Sequence, residues 1–210
     1  MGRDMEKPFT VIGLQRSGTN FVEECLRRCA NARIENKNSQ RGIWKHGFEF
    51  DQVPDNNLCL VHKHPVSWID SIRRQEEDLI RPAKPQAGRT SWHRNLRTSS
   101  GELDLERLAC LWDAFHKWWL LNFPDVTLLR YETLIESEKR TQFEIIEACK
   151  LMGVDAREFE VPKKVNQSKA LTPERRMGYV GFVFETGPRE AQRVLENVSP
   201  FLMRKFGYGY

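Results

Sequence analysis

The stretch FTVIGLQRSGTNF, positions 9 to 21, constrains this chain more than any other. A short apolar run meets a glycine and a polar loop follows. Phe21, Val22, Cys25, Leu26 and Cys29 then return at helical spacing. The pattern is that of a strand-to-helix junction. Gly13 and Gly18 free the backbone where a tight loop needs unusual dihedrals, and Ser17, Thr19 and Asn20 place short polar groups near the helix start. Free N–H groups at such a start, with Arg16 beside them, make a cradle for phosphate or sulfate. The same residues would equally serve a turn that caps a helix and holds nothing. The glycines have the spacing of a Walker A loop, G-x-x-x-x-G-K-[ST], but Thr19 stands at the lysine position. A standard nucleoside triphosphatase is therefore disfavoured.

The rest of the chain alternates between strand and helix signals. Residues 9–14 read as the first strand and about 20–30 as a helix. Residues 31–43 are polar and irregular, and IWKHGFEF, 43–50, holds a short strand or strand edge followed by a loop. Pro54 to Asn57 is a turn signal. LCLV, 58–61, is an apolar run of the kind found in buried parallel strands. It leads into HKHPVSWIDSIRR, where Pro65 suits a helix start. Residues 81–101, rich in Pro, Gly, Ser and Arg, read as a long loop or lid. From 103 to 121, Leu105, Leu108, Trp112, Phe115 and Trp119 form one helical stripe. VTLLRY, 126–131, reads as a strand, and 132–152 as a helix stopped by Gly153. A basic loop follows, with a short helix starting near Thr172-Pro173. The last helix runs from about Pro188 to Phe206. No internal repeat is evident. The pattern predicts one α/β domain over residues 1–210, with a mainly parallel sheet and helices on both faces. Ligands of such sheets collect beyond the carboxyl ends of the strands. Gln15-Arg16, Trp44-Lys45-His46 and His62-Lys63-His64 all fall at predicted strand ends.

Composition narrows the partners. A formal net charge of +4 suits an acidic ligand without making a nucleic-acid surface. No run approaches a membrane span, and the N-terminus lacks the apolar stretch of a secretory signal. Five scattered cysteines, an odd number, argue against a disulfide framework. Cys25 and Cys29 share one face of the first helix and read as small buried side chains in a reducing cytoplasm. The six tryptophans lie mostly within apolar patterns and read as packing.

In order and spacing, these segments resemble the sulfotransferase superfamily that uses 3′-phosphoadenosine 5′-phosphosulfate (PAPS). LQRSGTN, 14–20, looks like the family's P-K/R-S/A-G-T-T loop, which grips the 5′-phosphosulfate end. LCLVHKHPVSWIDSI, 58–72, resembles an apolar strand followed by R-D-P-x-D-x-x-x-S. VTLLRYETLI, 126–135, resembles V-x-x-x-R-Y-E-D-L, and FLMRKFGYGY resembles the closing helix before L-G-Y. The resemblance implies a P-loop-type three-layer sandwich, a cytoplasmic sulfotransferase, and PAP as product. It assigns cofactor binding to Gln15, Arg16, Ser17, Gly18, Thr19 and Asn20 at the 5′ end, and to Lys63 and Ser71 at the 3′-phosphate. Several positions depart from the family pattern: Gln15 for proline, Asn20 for the second threonine, Lys63-His64-Pro65 for Arg-Asp-Pro, and Ser67 where an aspartate is common.

For catalysis the resemblance points to His46, which some family members match with a histidine base, flanked by Lys45. A histidine of ordinary pKa suits proton removal near neutrality. Lys45 and Arg16 would stabilise charge on the transferring and leaving groups. His46 would otherwise be an exposed loop residue and Lys45 a solvated charge. His93, with Arg89, Arg94 and Arg97, would contact an anionic acceptor or simply form a solvated loop. Lys163, Lys164, Arg175 and Arg176 are candidates to close over the cofactor. Trp44, Phe48, Trp68 and Trp92 would line an acceptor pocket or serve packing. His62 and His64 read as locally hydrogen-bonded, His116 as structural, and Arg130 and Tyr131 as mainly architectural, with Glu132 orienting a neighbour. The acceptor is a small molecule or a glycan bearing a hydroxyl or amine; no metal is required. A P-loop kinase using ATP and a non-catalytic nucleotide-binding protein are the alternatives.

Overall fold

A computed structural model describes residues 8–14, 16–30, 33–34, 57–73, 98, 100–163 and 186–209. The expected strand at 43–50, the loop at 81–97 and the short helix near 172 lie outside the described residues. The chain divides into two compact units. Described residues up to 63 and from 118 to 163 form the first; those from 64 to 117 and from 186 to 209 form the second.

The first unit is built on a parallel sheet of three strands: β1 (Phe9–Ile12), β2 (Asn57–His62) and β3 (Thr127–Arg130), with β2 in the middle. Phe9 pairs with Asn57 and Ile12 with Leu60. Cys59 pairs with Thr127 and His62 with Arg130. An isolated parallel bridge joins Phe9 to Ile34 on the outer side of β1. All four residues of β1 are buried, as expected of parallel strands covered on both faces. Helix α1 (Thr19–Ala30) buries Phe21, Val22, Cys25, Leu26 and Cys29. Its apolar face joins a core with Val11, Cys59, Val61, Leu129, Leu134, Ile145 and Cys149. The architecture is α/β, as the alternation predicts.

Helix α2 (Pro65–Arg73) opens the second unit, with Pro65 in the first turn where a missing N–H costs nothing. Helix α3 (Leu105–Asn122) contributes residues to both units, and its stripe is buried as its spacing requires: Leu108, Trp112, Phe115 and Trp119 are all inaccessible. Two predicted helices are interrupted. The one at 132–152 is a short turn, α4 (Tyr131–Leu134), followed by α5 (Glu138–Leu151). Ser137 caps α5, its Oγ accepting from the Arg140 N–H at 3.1 Å. The Thr141 hydroxyl donates to the Leu134 carbonyl across the break. The one at 188–206 is α6 (Pro188–Glu196) and α7 (Pro200–Lys205). Pro200 disfavours helical geometry at Ser199 and starts the second piece.

Two buried polar side chains shape the second unit. Asp70 is buried, and its Oδ1 accepts from the Thr186 N–H at 3.0 Å and from the Thr186 hydroxyl. Arg73 holds Glu190 with paired bonds of 3.0 and 2.9 Å, joining α2 to α6. His116 sits among aromatic rings: Trp112 at 4.2 Å, Phe115 at 5.2 Å and Phe206 at 5.1 Å between centroids. Its Nδ1 lies 2.6 Å from the Trp112 carbonyl, and Nε2 has no hydrogen-bond partner among the described residues. Burial pushes its pKa down to about 3, against the opposing pull of the Trp112 carbonyl. The native ring is therefore neutral, whereas the unfolded ring takes up a proton near its ordinary value of 6.5. The contribution is complete above that value and is lost as pH falls toward about 3. In urea melts between pH 6.5 and pH 4.5, His116→Leu should flatten the loss of stability by about 1.4 kcal/mol per pH unit relative to wild type. Parallel slopes for the two proteins would refute the assignment.

Candidate anion site at the carboxyl end of the sheet

The loop after β1 turns sharply because its residues leave it no alternative. The Ser17 N–H and hydroxyl both donate to the Leu14 carbonyl, at 3.0 and 2.7 Å. Gly13 lies so close to β2 that an added Cβ would stand 2.6 Å from the Val61 carbonyl oxygen and 2.5 Å from Ser17 Oγ. Arg16 adopts the left-handed region at φ 72°, a conformation costing a non-glycine residue roughly 1–2 kcal/mol. Gly18 has φ 96°, and a Cβ there would lie 2.2 Å from the Tyr131 ring. The loop is thus pinned by the carboxyl ends of β2 and β3.

The ring that crowds Gly18 also meets a cation. Lys63, just past β2, is buried at 2% exposure, and its Nζ lies 4.8 Å from the Tyr131 ring centroid. Tyr131 therefore touches two separated stretches that the sequence marks as anion-binding: the loop at Gly18 and the strand end at Lys63. Among the described residues, no carbonyl accepts from the N–H of Gly18 or Thr19, the groups that open the twelve-residue helix α1. No acidic residue lies in that helix's first turn. Arg16 is exposed. The nearby carboxylate of Glu132 is balanced by Arg130, 3.7 Å away. These donors and cations favour an anion on electrostatic grounds.

The candidate residues distribute as follows. Arg16, Ser17, Gly18, Thr19, Asn20 and Lys63 all belong to the first unit, around the carboxyl ends of β1 and β2. Ser17 is turned inward, so its part is to shape the loop. Ser71 belongs to the second unit, on α2, where its hydroxyl donates to the Ser67 carbonyl at 2.9 Å. Gln15, Lys45 and His46 lie outside the described residues, as do His93, Arg89, Arg94, Arg97, Lys164, Arg175, Arg176, Trp44, Phe48 and Trp92. Lys163 is described and exposed. Trp68 is fully buried and packs in the second unit. His62 ends β2, and the His64 ring meets Tyr208 edge-on at 5.0 Å. Among the described residues no group of three or more His, Cys, Asp or Glu side chains is arranged to hold a metal ion. No described helix is long and apolar enough to cross a membrane.

No family model matches the chain, and no curated protein or solved structure matches it. The site therefore rests on its own geometry.

Sequence reasoning gave Tyr131 an architectural role and missed its contact with the loop. The available signal was Gly18 itself, a glycine with no room for a side chain. Gly18→Ala should destabilise the fold by about 2–4 kcal/mol, combining left-handed strain with overpacking. In a Tyr131→Ala background the overlap disappears and only the strain remains. A double-mutant cycle by urea denaturation should therefore show the two substitutions to be non-additive by at least about 1 kcal/mol; additive costs would dismiss the contact.

Proposed function

We propose that the chain is a sulfotransferase of the P-loop three-layer type, moving a sulfuryl group from PAPS to a hydroxyl or amine on a small-molecule or glycan acceptor, with PAP as product. The observation that carries this reading is the meeting of Gly18 and Lys63 on Tyr131. Three segments that resemble the family's motifs converge there at adjacent parallel strand ends. The donor set also fits the ligand, since the Gly18 and Thr19 N–H groups, Arg16 and Lys63 all favour negative charge.

In this reading the Gly18 and Thr19 N–H groups and Arg16 hold the 5′ end, with Gln15 and Asn20 flanking it. Lys63 supplies a positive charge for the 3′-phosphate; the role of Ser71 there rests on the resemblance alone. When bound, PAPS supplies an activated sulfuryl group on a phosphate leaving group. His46 takes the proton of the acceptor hydroxyl or amine. Lys45 and Arg16 offset negative charge on the transferring and leaving oxygens. The reading assumes the cytoplasm, where PAPS and reduced thiols coexist.

Calorimetry with PAP, AMP and ADP tests the cofactor. PAP should bind much more tightly than the other two. Lys63→Met, which keeps most of the side chain's bulk against Tyr131, should remove most of that preference, roughly 1.5–3 kcal/mol. Equal affinities for the three nucleotides in the wild-type protein would overturn the 3′-phosphate assignment.

An acceptor library incubated with PAPS and read by mass gain tests the transfer. With a responding acceptor, His46→Ala should lower kcat by about 10²–10⁴-fold and leave PAP affinity unchanged. A near-native kcat at saturating substrates would move the base elsewhere, with His93 the next residue to replace. PAP binding without mass gain on any acceptor would instead favour a non-catalytic nucleotide-binding protein.

A further inference from the structure

Lys63 and Tyr131 are the first residues beyond two paired strand ends. His62 pairs with Arg130 at the last rung between β2 and β3, so the next residue of each strand leaves the sheet at the same edge. Both belong to the first unit, as does Gly18. The lysine is buried, yet its Nζ sits over the Tyr131 ring, 4.8 Å from the centroid. An ammonium taken out of water loses hydration that few single contacts restore. The negative face of an aromatic ring offsets part of that loss, and does so best where water is excluded. Placement matters as much as charge. A lysine stem is long and flexible, and an ammonium that swings freely must be ordered when a ligand binds. One that already rests on a ring in the folded protein need not be.

The ring is itself fixed. Tyr131 opens helix α4, where its carbonyl accepts from the Ile135 N–H at 3.2 Å. Gly18 closes on the Cδ2 and Cε2 atoms of the ring so tightly that no methyl group fits between them. A rigid loop thus holds a ring, and the ring holds a cation at the strand end.

We propose, on the nucleotide reading above, that Tyr131 is a positioning residue for the 3′-phosphate: the face of its ring fixes where the Lys63 ammonium stands. Tyr131 acts through that ammonium and not through its own hydroxyl. The preference for a 3′-phosphate over a 3′-hydroxyl is then set by two residues together. Lys63 carries the charge, and Tyr131 decides where the charge is presented.

The readout is the ratio of the AMP and PAP dissociation constants, measured by calorimetry, which isolates the 3′-phosphate. Tyr131→Phe keeps the ring face and should keep the wild-type ratio. Tyr131→Leu removes the face and should lower the ratio about tenfold, the scale of a desolvated cation–π contact. In a Lys63→Met background, Tyr131→Leu should lower it no further. Phenylalanines bearing one, two or three ring fluorines, incorporated at position 131, nearly preserve the shape but drain negative charge from the face. The ratio should fall stepwise with each fluorine, which a packing role would not produce. A ratio indifferent to fluorination, a ratio lost in Tyr131→Phe, or equal losses of PAP and AMP affinity in Tyr131→Leu would each overturn the proposal and leave the nucleotide reading standing. A wild-type protein that does not distinguish PAP from AMP would overturn that reading and this positioning role with it. If Tyr131→Leu fails to fold, the fluorinated series decides alone.

Discussion

There is no room for a methyl group at Gly13 or Gly18, and the arrangement of the first unit depends on that exclusion. At Gly13 the obstacle is the backbone of β2, and at Gly18 it is a ring supplied from the end of β3. The loop between β1 and α1 is therefore moulded by two strands that lie far from it in sequence. Its left-handed Arg16 is held in place by that mould, since nothing in an isolated peptide would repay the strain. Once the loop is fixed, so is the direction in which α1 starts, and with it the N–H groups that face outward. The buried ammonium of Lys63 completes the same arrangement, because the ring that limits Gly18 also carries the cation.

The sequence was most legible where one local rule acted alone. The three strands are apolar runs that end in a glycine, a proline or a charged pair, and the structure has them within a residue or two of their expected bounds. The long aromatic helix was legible for the same reason, since Leu108, Trp112, Phe115 and Trp119 permit only one face. Legibility failed where two rules competed. Residues 132–152 have helical periodicity throughout, but Ser137 is a better cap than helix interior, and Thr141 ties the break shut. The interruption at Ser199 was marked by Pro200, whose ring restricts the residue before it. Contacts that join distant segments left almost no trace in the sequence. Nothing near Tyr131 announces Gly18. Each half of such a pair is consistent with ordinary packing until the fold brings them together.

Two buried polar groups of the second unit show two solutions to one problem. Asp70 keeps its place by accepting from the backbone and side chain of Thr186, two residues before the start of α6. His116 keeps its place by giving up its charge. The first ties the chain's return to α2; the second makes an aromatic cluster sensitive to acid. Burial without either device would cost several kcal/mol.

Both units are discontinuous along the chain, and this governs how the protein can be assembled during synthesis. The first unit cannot close its sheet until β3 has emerged, long after β1 and β2. The second meets its own partners only when Thr186 and Phe206 arrive for Asp70 and Trp112. In the interval Trp68, Trp112 and Phe115 have been translated but lack their final cover. A nascent chain in that state presents aromatic surface to its surroundings. Each core therefore waits on a segment made long after its first residues: β3 for the first unit, and Thr186 with Phe206 for the second.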